Sequence, residues 1–132
     1  MIDDGRALFL QIAESVEDAI VDGSLAEESR APSTNELAAF HRINPATAAK
    51  GITMLVDKGV LQKRRGIGMF VAVGAREQLL GERRSAFADR FVEPLLTEAR
   101  TLGLGPDDLA DLIRERAALG SSPAHTNEGI AR

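Results

Sequence analysis

The first segment of the chain alternates apolar and polar residues with the spacing of an amphipathic helix. Apolar side chains recur every three or four positions across residues 6–22, and acidic side chains occupy the opposite side. Gly23 follows this pattern, and glycine ends helices well because it tolerates the left-handed backbone conformation. The pattern therefore predicts a first helix over about residues 6–22. Its expected inward positions are Phe9, Ile12, Val16 and Ile20.

A helix-start signal follows the loop predicted over residues 24–32. Ser33 and Glu36 form a capping-box pattern, in which each side chain accepts a hydrogen bond from the backbone N–H of the other residue. This pattern predicts a short helix from Thr34 to about His41. Its expected buried positions are Leu37, Ala38 and Phe40.

A second start signal lies at Asn44 and Pro45. Asparagine is a strong helix cap, and proline suits the first helical position because the N–H that it lacks would be unpaired there anyway. The predicted helix runs to about Lys58, and Gly59 terminates it. The spacing of apolar residues directs Ala48, Ile52, Leu55 and Val56 inward and Ala46, Thr47 and Lys50 outward.

The pattern then changes to short apolar runs. Residues 60–63 and 69–73 predict two strands, and residues 64–68, with two glycines, predict the turn between them. The resulting order is helix, short capped helix, tight turn, second capped helix and two-stranded hairpin. This is the layout of a winged helix-turn-helix.

Helical spacing returns after the hairpin. Residues 75–101 predict a helix in which Pro94 causes a kink or break, and residues 106–118 predict a final helix. The Gly-, Ser- and Pro-containing end predicts a flexible tail. We therefore expect an α+β, mainly α protein. Its expected parts are a winged helix-turn-helix over residues 1–74, a helical dimerisation segment over residues 75–118 and a tail over residues 119–132.

The distribution of charge changes the meaning of this layout. The chain carries a net charge of −4, but residues 30–68 hold seven basic residues against only Glu36 and Asp57, or +5. Residues 1–29 carry −7 and residues 69–132 carry −2. Because salt screens charges beyond about 8–10 Å, a local basic region attracts an anionic partner even on an acidic chain.

Several classes of function are excluded by composition. The 132 residues include no cysteine, and the two histidines, His41 and His125, stand apart without a cluster of metal ligands. No convergent acid, base or nucleophile set is recognisable, so we expect no enzymatic activity, no cofactor and no metal. No apolar run approaches the roughly 20 residues of a membrane span, and the acidic start is unlike a secretion signal. We expect a cytoplasmic protein with no membrane partner.

The residues also resemble a known family. The matching stretches are residues 8–13, 20–25, 32–38, 44–50 and 58–71, which occur in order and with the expected spacing. Together they are similar to the GntR family of bacterial regulators, specifically its short YtrA-type branch. The resemblance implies a DNA-binding repressor of a nearby gene set, such as a transporter operon. Residues 75–118 are too few to form a separate effector domain like those of longer relatives, so we expect none.

The layout places candidate DNA contacts at two helix starts and at the hairpin tip. Helix N-termini attract phosphate, outward side chains of the second capped helix face base edges, and a basic glycine tip reaches the minor groove or the backbone. Asn35 stands where many relatives carry arginine, and asparagine can pair with adenine. The candidates are Ser33, Thr34, Asn35, Arg42, Asn44, Ala46, Thr47, Lys50, Arg64, Arg65 and Gly66.

These candidates also have purely structural interpretations. Ser33 and Asn44 act as helix caps with or without DNA. Lys50 could donate to guanine or to phosphate, or it could be a solubilising surface charge. Arg64 and Arg65 could protect a sheet edge from aggregation. A winged module that contacts another protein instead of DNA is therefore the alternative function.

A single winged module makes too few base contacts for a specific site, so we expect a homodimer on a palindromic operator. The expected partners are double-stranded DNA, a second copy of the chain and a small-molecule effector of unknown identity. The apolar stripe of the C-terminal segment predicts the dimer contact, formed by Leu79, Leu80, Phe87, Phe91, Leu95, Leu109, Leu112 and Ile113.

Overall fold

The order of elements matches the expected mainly helical chain with one small sheet. The computed structural model describes residues 7–120, which divide into two compact units, the first ending at Arg84 and the second beginning at Ser85. The elements are α1 (Leu8–Asp22), α2 (Thr34–His41), α3 (Pro45–Asp57), β1 (Leu61–Arg64), β2 (Gly68–Val71), α4 (Ala75–Phe87), a π-helical turn (Ala88–Val92), α5 (Glu93–Thr101) and α6 (Pro106–Gly120). The predicted tail lies outside the described residues, apart from its first two positions, which end α6.

The predicted helix boundaries are confirmed by their caps. Gly23 ends α1 with a φ of 89°. The Ser33 hydroxyl accepts from the Glu36 N–H at 3.1 Å, and the Glu36 carboxylate accepts from the Ser33 N–H at 2.8 Å, so the capping box is complete. At the start of α3, the Asn44 side chain accepts from the Ala46 N–H at 2.7 Å. Local sequence signals therefore determine where α1 ends and where α2 and α3 begin.

A segment beside the two-stranded sheet makes backbone hydrogen bonds that the sequence pattern missed. β1 and β2 pair antiparallel as expected, with Leu61 opposite Val71 and Arg64 opposite Gly68. The predicted loop before α2 also runs beside β2, where Glu28 donates to Val71 and Ala31 donates to Met69, each at 2.8 Å. This segment is too short and too poor in β-branched residues to resemble a strand. The segment therefore covers the edge of β2 that faces away from β1, and no local sequence pattern predicts this pairing.

The core of the first unit includes the beginning of α4. α1, α3 and the hairpin bury a continuous apolar cluster, and Ala75 and Leu79 join it with 1% of each residue exposed. The compact unit therefore extends ten residues beyond the expected boundary at residue 74. The prediction that Leu79 is a dimer contact is therefore wrong, because a side chain inside this core has no surface available to a partner.

Phe40 is exposed, although the pattern predicted it to be buried. Phe40 is 79% exposed, whereas Leu37 and Ala38 face the core. Successive residues of an α-helix are about 100° apart, so Phe40 lies about 110° from the inward direction midway between those two residues. The aromatic ring lies instead at a groove of about 940 Å³ formed by α1, α2 and the segment before α2.

The second unit is helical throughout its regular part. Pro94 lies at the start of α5, directly after the π-helical turn, so the regular α-helical hydrogen-bond pattern is interrupted before the proline. The backbone stays in the right-handed helical region at Val92 and Glu93, so the helix is not broken there. Ala99 and Leu109 are buried, with 4% and 6% exposed. The prediction that Leu109 is a dimer contact is also wrong, since almost none of its surface is available to another chain. None of the helices between residues 7 and 120 is long and apolar enough to cross a membrane.

Candidate nucleic-acid interface

The helix-turn-helix is formed by α2, a three-residue turn and α3. Arg42 ends α2 in the left-handed conformation with a φ of 58°, and Ile43 donates to the Ala38 carbonyl at 3.0 Å. The turn is therefore closed by backbone hydrogen bonds. The Arg42 residue remains exposed, so its guanidinium is available at the surface.

The starts of α2 and α3 differ in the hydrogen-bond donors that they leave unpaired. At α3, Pro45 has no N–H, the Ala46 N–H is used by the Asn44 side chain, and the Thr47 N–H donates to the Asn44 carbonyl at 3.0 Å. At α2, Thr34 and Asn35 donate their N–H groups to no other residue of the described chain. We expected both starts to attract a phosphate. Only α2 has free N–H groups to bind one.

The outward face of α3 consists of small side chains and one lysine. Ala46 and Lys50 are exposed and Thr47 is partly exposed, while Ala48 and Ile52 point into the core. The Lys50 ammonium lies 4.1 Å from the centroid of the Phe9 ring on α1. The face is therefore shallow and carries one cation, which is in contact with an aromatic ring.

The hairpin presents one anchored arginine and one exposed arginine. Arg64 is partly buried, and its guanidinium carbon lies 4.2 Å from the centroid of the Phe70 ring. Arg65 and Gly66 form the exposed tip, and Gly66 adopts a φ of 76° that glycine tolerates easily. The tip therefore presents the charge of Arg65 to solvent, as a wing that contacts DNA requires.

Arg30 was counted in the basic region of the sequence but was not selected as a site residue. Its guanidinium packs on the backbone of Gly68, where an added Cβ would lie 3.3 Å from two of its nitrogens. Gly68 has a φ of 133°, a backbone conformation that residues with a side chain rarely adopt. Arg30 thus adds a positive charge beside the hairpin.

Ion pairs tie the C-terminal end of α3 to α1 and α4. The Lys58 ammonium lies 2.5 Å from the Glu17 carboxylate and 2.8 Å from that of Glu82. Partial burial acts to lower the pKa of Lys58, but its hydrogen bonds to the two carboxylates outweigh this and raise the pKa above the ordinary value. The pairing involves residues 41 positions apart in sequence, so no local pattern reveals it.

A carboxylate also fixes the start of α4. Glu27 accepts from the N–H groups of Gly74 and Arg76, at 3.0 and 3.1 Å. These hydrogen bonds, first that of Gly74 and then that of Arg76, lower the pKa of Glu27. Arg83 pairs with Asp18 at 2.6 Å further along α4. These contacts hold the first turns of α4 within the first unit.

Every predicted DNA contact lies at least partly at the surface. Ser33, Asn35 and Asn44 are exposed, and Thr34 is partly exposed. Leu79 and Leu109 are buried, and Leu80 is partly buried. The remaining predicted dimer residues are exposed, namely Phe87, Phe91, Leu95, Leu112 and Ile113. No cluster of residues that could hold a metal ion occurs between residues 7 and 120.

Comparisons with known proteins agree with this geometry. The family profile described as "Bacterial regulatory proteins, gntR family" matches residues 8–71. The HTH-type transcriptional regulator YhcF of Bacillus subtilis (strain 168) is 25% identical over 109 residues, covering 83% of this chain and 88% of YhcF. The HTH-type transcriptional repressor YtrA of the same organism is 24% identical over 111 residues, covering 84% of this chain and 85% of YtrA.

A solved structure extends the similarity over nearly the whole chain. The crystal structure of a transcriptional regulator of the GntR family from Bacteroides thetaiotaomicron has 30% sequence identity and a TM-score of 0.71. It covers 87% of this chain and 100% of that chain. The similarity to YtrA supports the short YtrA-type branch within the family. The chain therefore belongs to the GntR family, and it is a transcriptional regulator with a winged helix-turn-helix DNA-binding domain rather than an enzyme.

Proposed function

We propose that this regulator is a cytoplasmic homodimeric repressor that binds a palindromic operator beside the genes it controls, such as a transporter operon. The observation that carries the proposal is at the start of α2, the helix that precedes the exposed face of α3. There Thr34 and Asn35 donate their N–H groups to no residue between positions 7 and 120. Free N–H groups at a helix start bind phosphate and so fix the register of the next helix in the major groove.

Each part of the helix-turn-helix and wing has a separate role in this proposal. The start of α2 binds a phosphate, and the Asn35 side chain reaches an adenine edge or the backbone. Ala46 and Thr47 lie close to the bases, where a methyl group favours contact with thymine. Arg65 enters the flanking minor groove or contacts its phosphates. These residues are small or short apart from Arg65, so the protein approaches the duplex closely.

The second unit supports the proposed dimer. Phe87, Phe91 and Ile113 are 58%, 52% and 52% exposed, and the two aromatic rings lie 5.4 Å apart. Large exposed apolar side chains in one region mark a protein interface. A second copy is the favoured occupant, because two winged modules supply the base contacts that one lacks. The similarity to YtrA, itself described as a repressor, favours repression.

The proposal is tested by selecting duplexes from a random library with the purified chain and then measuring affinity for the enriched sequence. We expect Arg65→Ala to weaken binding at least tenfold, and Asn35→Ala to weaken it and to relax preference at one base pair by about 1–3 kcal/mol. Arg114→Ala on α6 is the matched control, because this arginine is exposed and pairs only with Asp111 of its own helix in the described chain. No enrichment of any sequence would overturn the proposal.

A second candidate function is favoured by Phe40. An aromatic residue that is 79% exposed beside a groove is typical of a protein or small-molecule site, such as that of an effector. Under this alternative, the winged module binds a protein and Arg65→Ala leaves that binding unchanged. Phe40→Ser would then abolish partner capture while DNA selection by the wild type yields no sequence.

A further inference from the structure

Lys50, the cation on the outward face of α3, contacts an aromatic side chain of α1. Its ammonium lies 4.1 Å from the centre of the Phe9 ring, within the range of a cation–π interaction. Lys50 forms no salt bridge with any residue between positions 7 and 120. Its positive charge is therefore oriented by an aromatic ring without being neutralised, so it is available to an anion.

The backbone fixes the relative position of these two residues. Gly51, which follows Lys50, is buried, and a Cβ added there would lie 2.9 Å from the Phe9 carbonyl oxygen and 3.4 Å from Ile12 Cβ. α1 and α3 are thus in backbone contact at this point. Ile12 is fully buried beside it. The ring that contacts Lys50 is consequently attached to a part of the fold that has little freedom to move.

The position of the ring decides which part of a duplex suits the ammonium. Phe9 holds the Lys50 side chain toward α1 and so to the flank of the outward face of α3. An ammonium at this flank can bind a phosphate while the ring contact persists. Lysine is a compact point charge with rotatable donors, which suits phosphate without requiring a planar, bidentate geometry.

We infer that Phe9 is a positioning residue that directs Lys50 to a backbone phosphate, so that Lys50 supplies affinity but no sequence preference. This inference rests on the proposed DNA-binding function and divides its surface into two parts. Lys50 fixes the protein on the backbone, and the α2 start and the small residues of α3 determine the sequence.

A double-mutant cycle tests the inference with Phe9→Leu, Lys50→Met and both together. Affinity is measured by fluorescence anisotropy on the enriched duplex at several salt concentrations. Phe9→Leu should weaken binding about two- to fivefold in the wild type and not at all when Lys50 is methionine. Lys50→Met should reduce the slope of log K against log salt by about 0.9 per protomer. Val73→Ala shortens an exposed apolar side chain elsewhere on the first unit and should leave affinity unchanged.

Base preference provides the second readout. On duplexes with single base-pair changes, Lys50→Met should weaken every sequence by the same factor. A change of tenfold or more at one base pair alone would show that Lys50 reads a base and would overturn the inference. Equal weakening by Phe9→Leu with and without Lys50 would show that Phe9 acts only through the fold. A wild-type chain that enriches no duplex would instead overturn the proposed function.

The ring contact itself is measurable by nuclear magnetic resonance without DNA. The ε-methylene protons of Lys50, assigned by their absence in Lys50→Met, should be shifted upfield by the Phe9 ring. Phe9→Leu should return them to ordinary positions, and Phe9→Tyr should preserve the shift because it keeps the ring. Unshifted protons in the wild type would contradict the inference whatever the stability of Phe9→Leu.

Discussion

The two compact units of the chain differ in how they bury apolar side chains. The first closes a continuous core in which Ile12, Leu55, Val60 and Val71 have no exposed surface. The second unit buries few apolar side chains. Several large apolar residues lie at its surface, among them Phe87, which is 58% exposed. A helix gains most of its stability from packing an apolar face. The first unit therefore buries its own apolar face, whereas the apolar face of the second unit is left for the proposed dimer to cover.

A cavity in the core of the first unit should have the largest effect on stability. Leu55→Ala removes a side chain with 0% exposed from α3 and should lower the free energy of unfolding by about 2–5 kcal/mol. Denaturant unfolding followed by circular dichroism measures the loss, which should not depend on protein concentration. Leu119→Ala, at a residue with 69% exposed, should change stability by less than about 0.5 kcal/mol. Equal losses at the two positions would contradict the description of the first unit.

A single aromatic substitution tests the second unit. Phe91→Ser should raise the dimer dissociation constant at least about 30-fold, because buried interface aromatics contribute about 2 kcal/mol or more each. Sedimentation equilibrium measures this constant. Val73→Ser is the control, since Val73 is 72% exposed but belongs to the first unit. A wild type that remains monomeric at high concentration, or equal effects of the two variants, would refute the dimer contact.

The polar contacts within the first unit should have an intermediate effect. Lys58→Met removes the cation from Glu17, whose side chain is only 13% exposed, and should cost about 1–3 kcal/mol. Arg114→Met breaks an ion pair whose side chains are 76% and 80% exposed and should cost about 0–1 kcal/mol. Thermal unfolding of both variants measures the two losses of stability. Similar small losses would show that the Lys58 cluster is an ordinary surface pairing.

The smallest expected effect is on the dependence of stability on pH. The N–H groups of Gly74 and Arg76 lower the folded-state pKa of Glu27 from an ordinary value of 4.5. Its stabilisation is therefore present above about pH 4.5 and is lost as the pH falls through the lower folded-state pKa. Glu27→Gln should flatten the curve of unfolding free energy against pH in that acidic range. An unchanged curve would show that Glu27 does not fix the start of α4.

Local signals predicted the fold more fully than they predicted the contacts between elements. The capping box at Ser33 and the cap at Asn44 lie within a few residues, so the sequence alone located the starts of α2 and α3. The dimer contacts predicted at Leu79 and Leu109 were wrong because helical spacing identifies a face but not what that face meets. The burial predicted for Phe40 was wrong because this residue lies off the inward face of α2. The hydrogen bonds of the segment before α2 to β2 depend on backbone atoms, which carry no sequence signal.

The candidate site shows the same division. The basic region and the glycine tip were recognisable from composition and turn chemistry. The contact of Lys50 with Phe9 was not, because it joins residues of α1 and α3 that only the folded chain brings together. The difference between the two helix starts was also hidden. It depends on which N–H groups the caps already use.

Hydroxyl-radical footprinting of the enriched duplex tests the central claim most directly, namely that two winged units joined through the second units bind one operator. A dimer bound in this way should protect two segments on the same side of the duplex, related by twofold symmetry and separated by about 10 base pairs or a multiple of it. In Phe91→Ser, both segments should be lost together at concentrations that saturate the wild type. One protected segment of unchanged strength in both proteins would contradict the account.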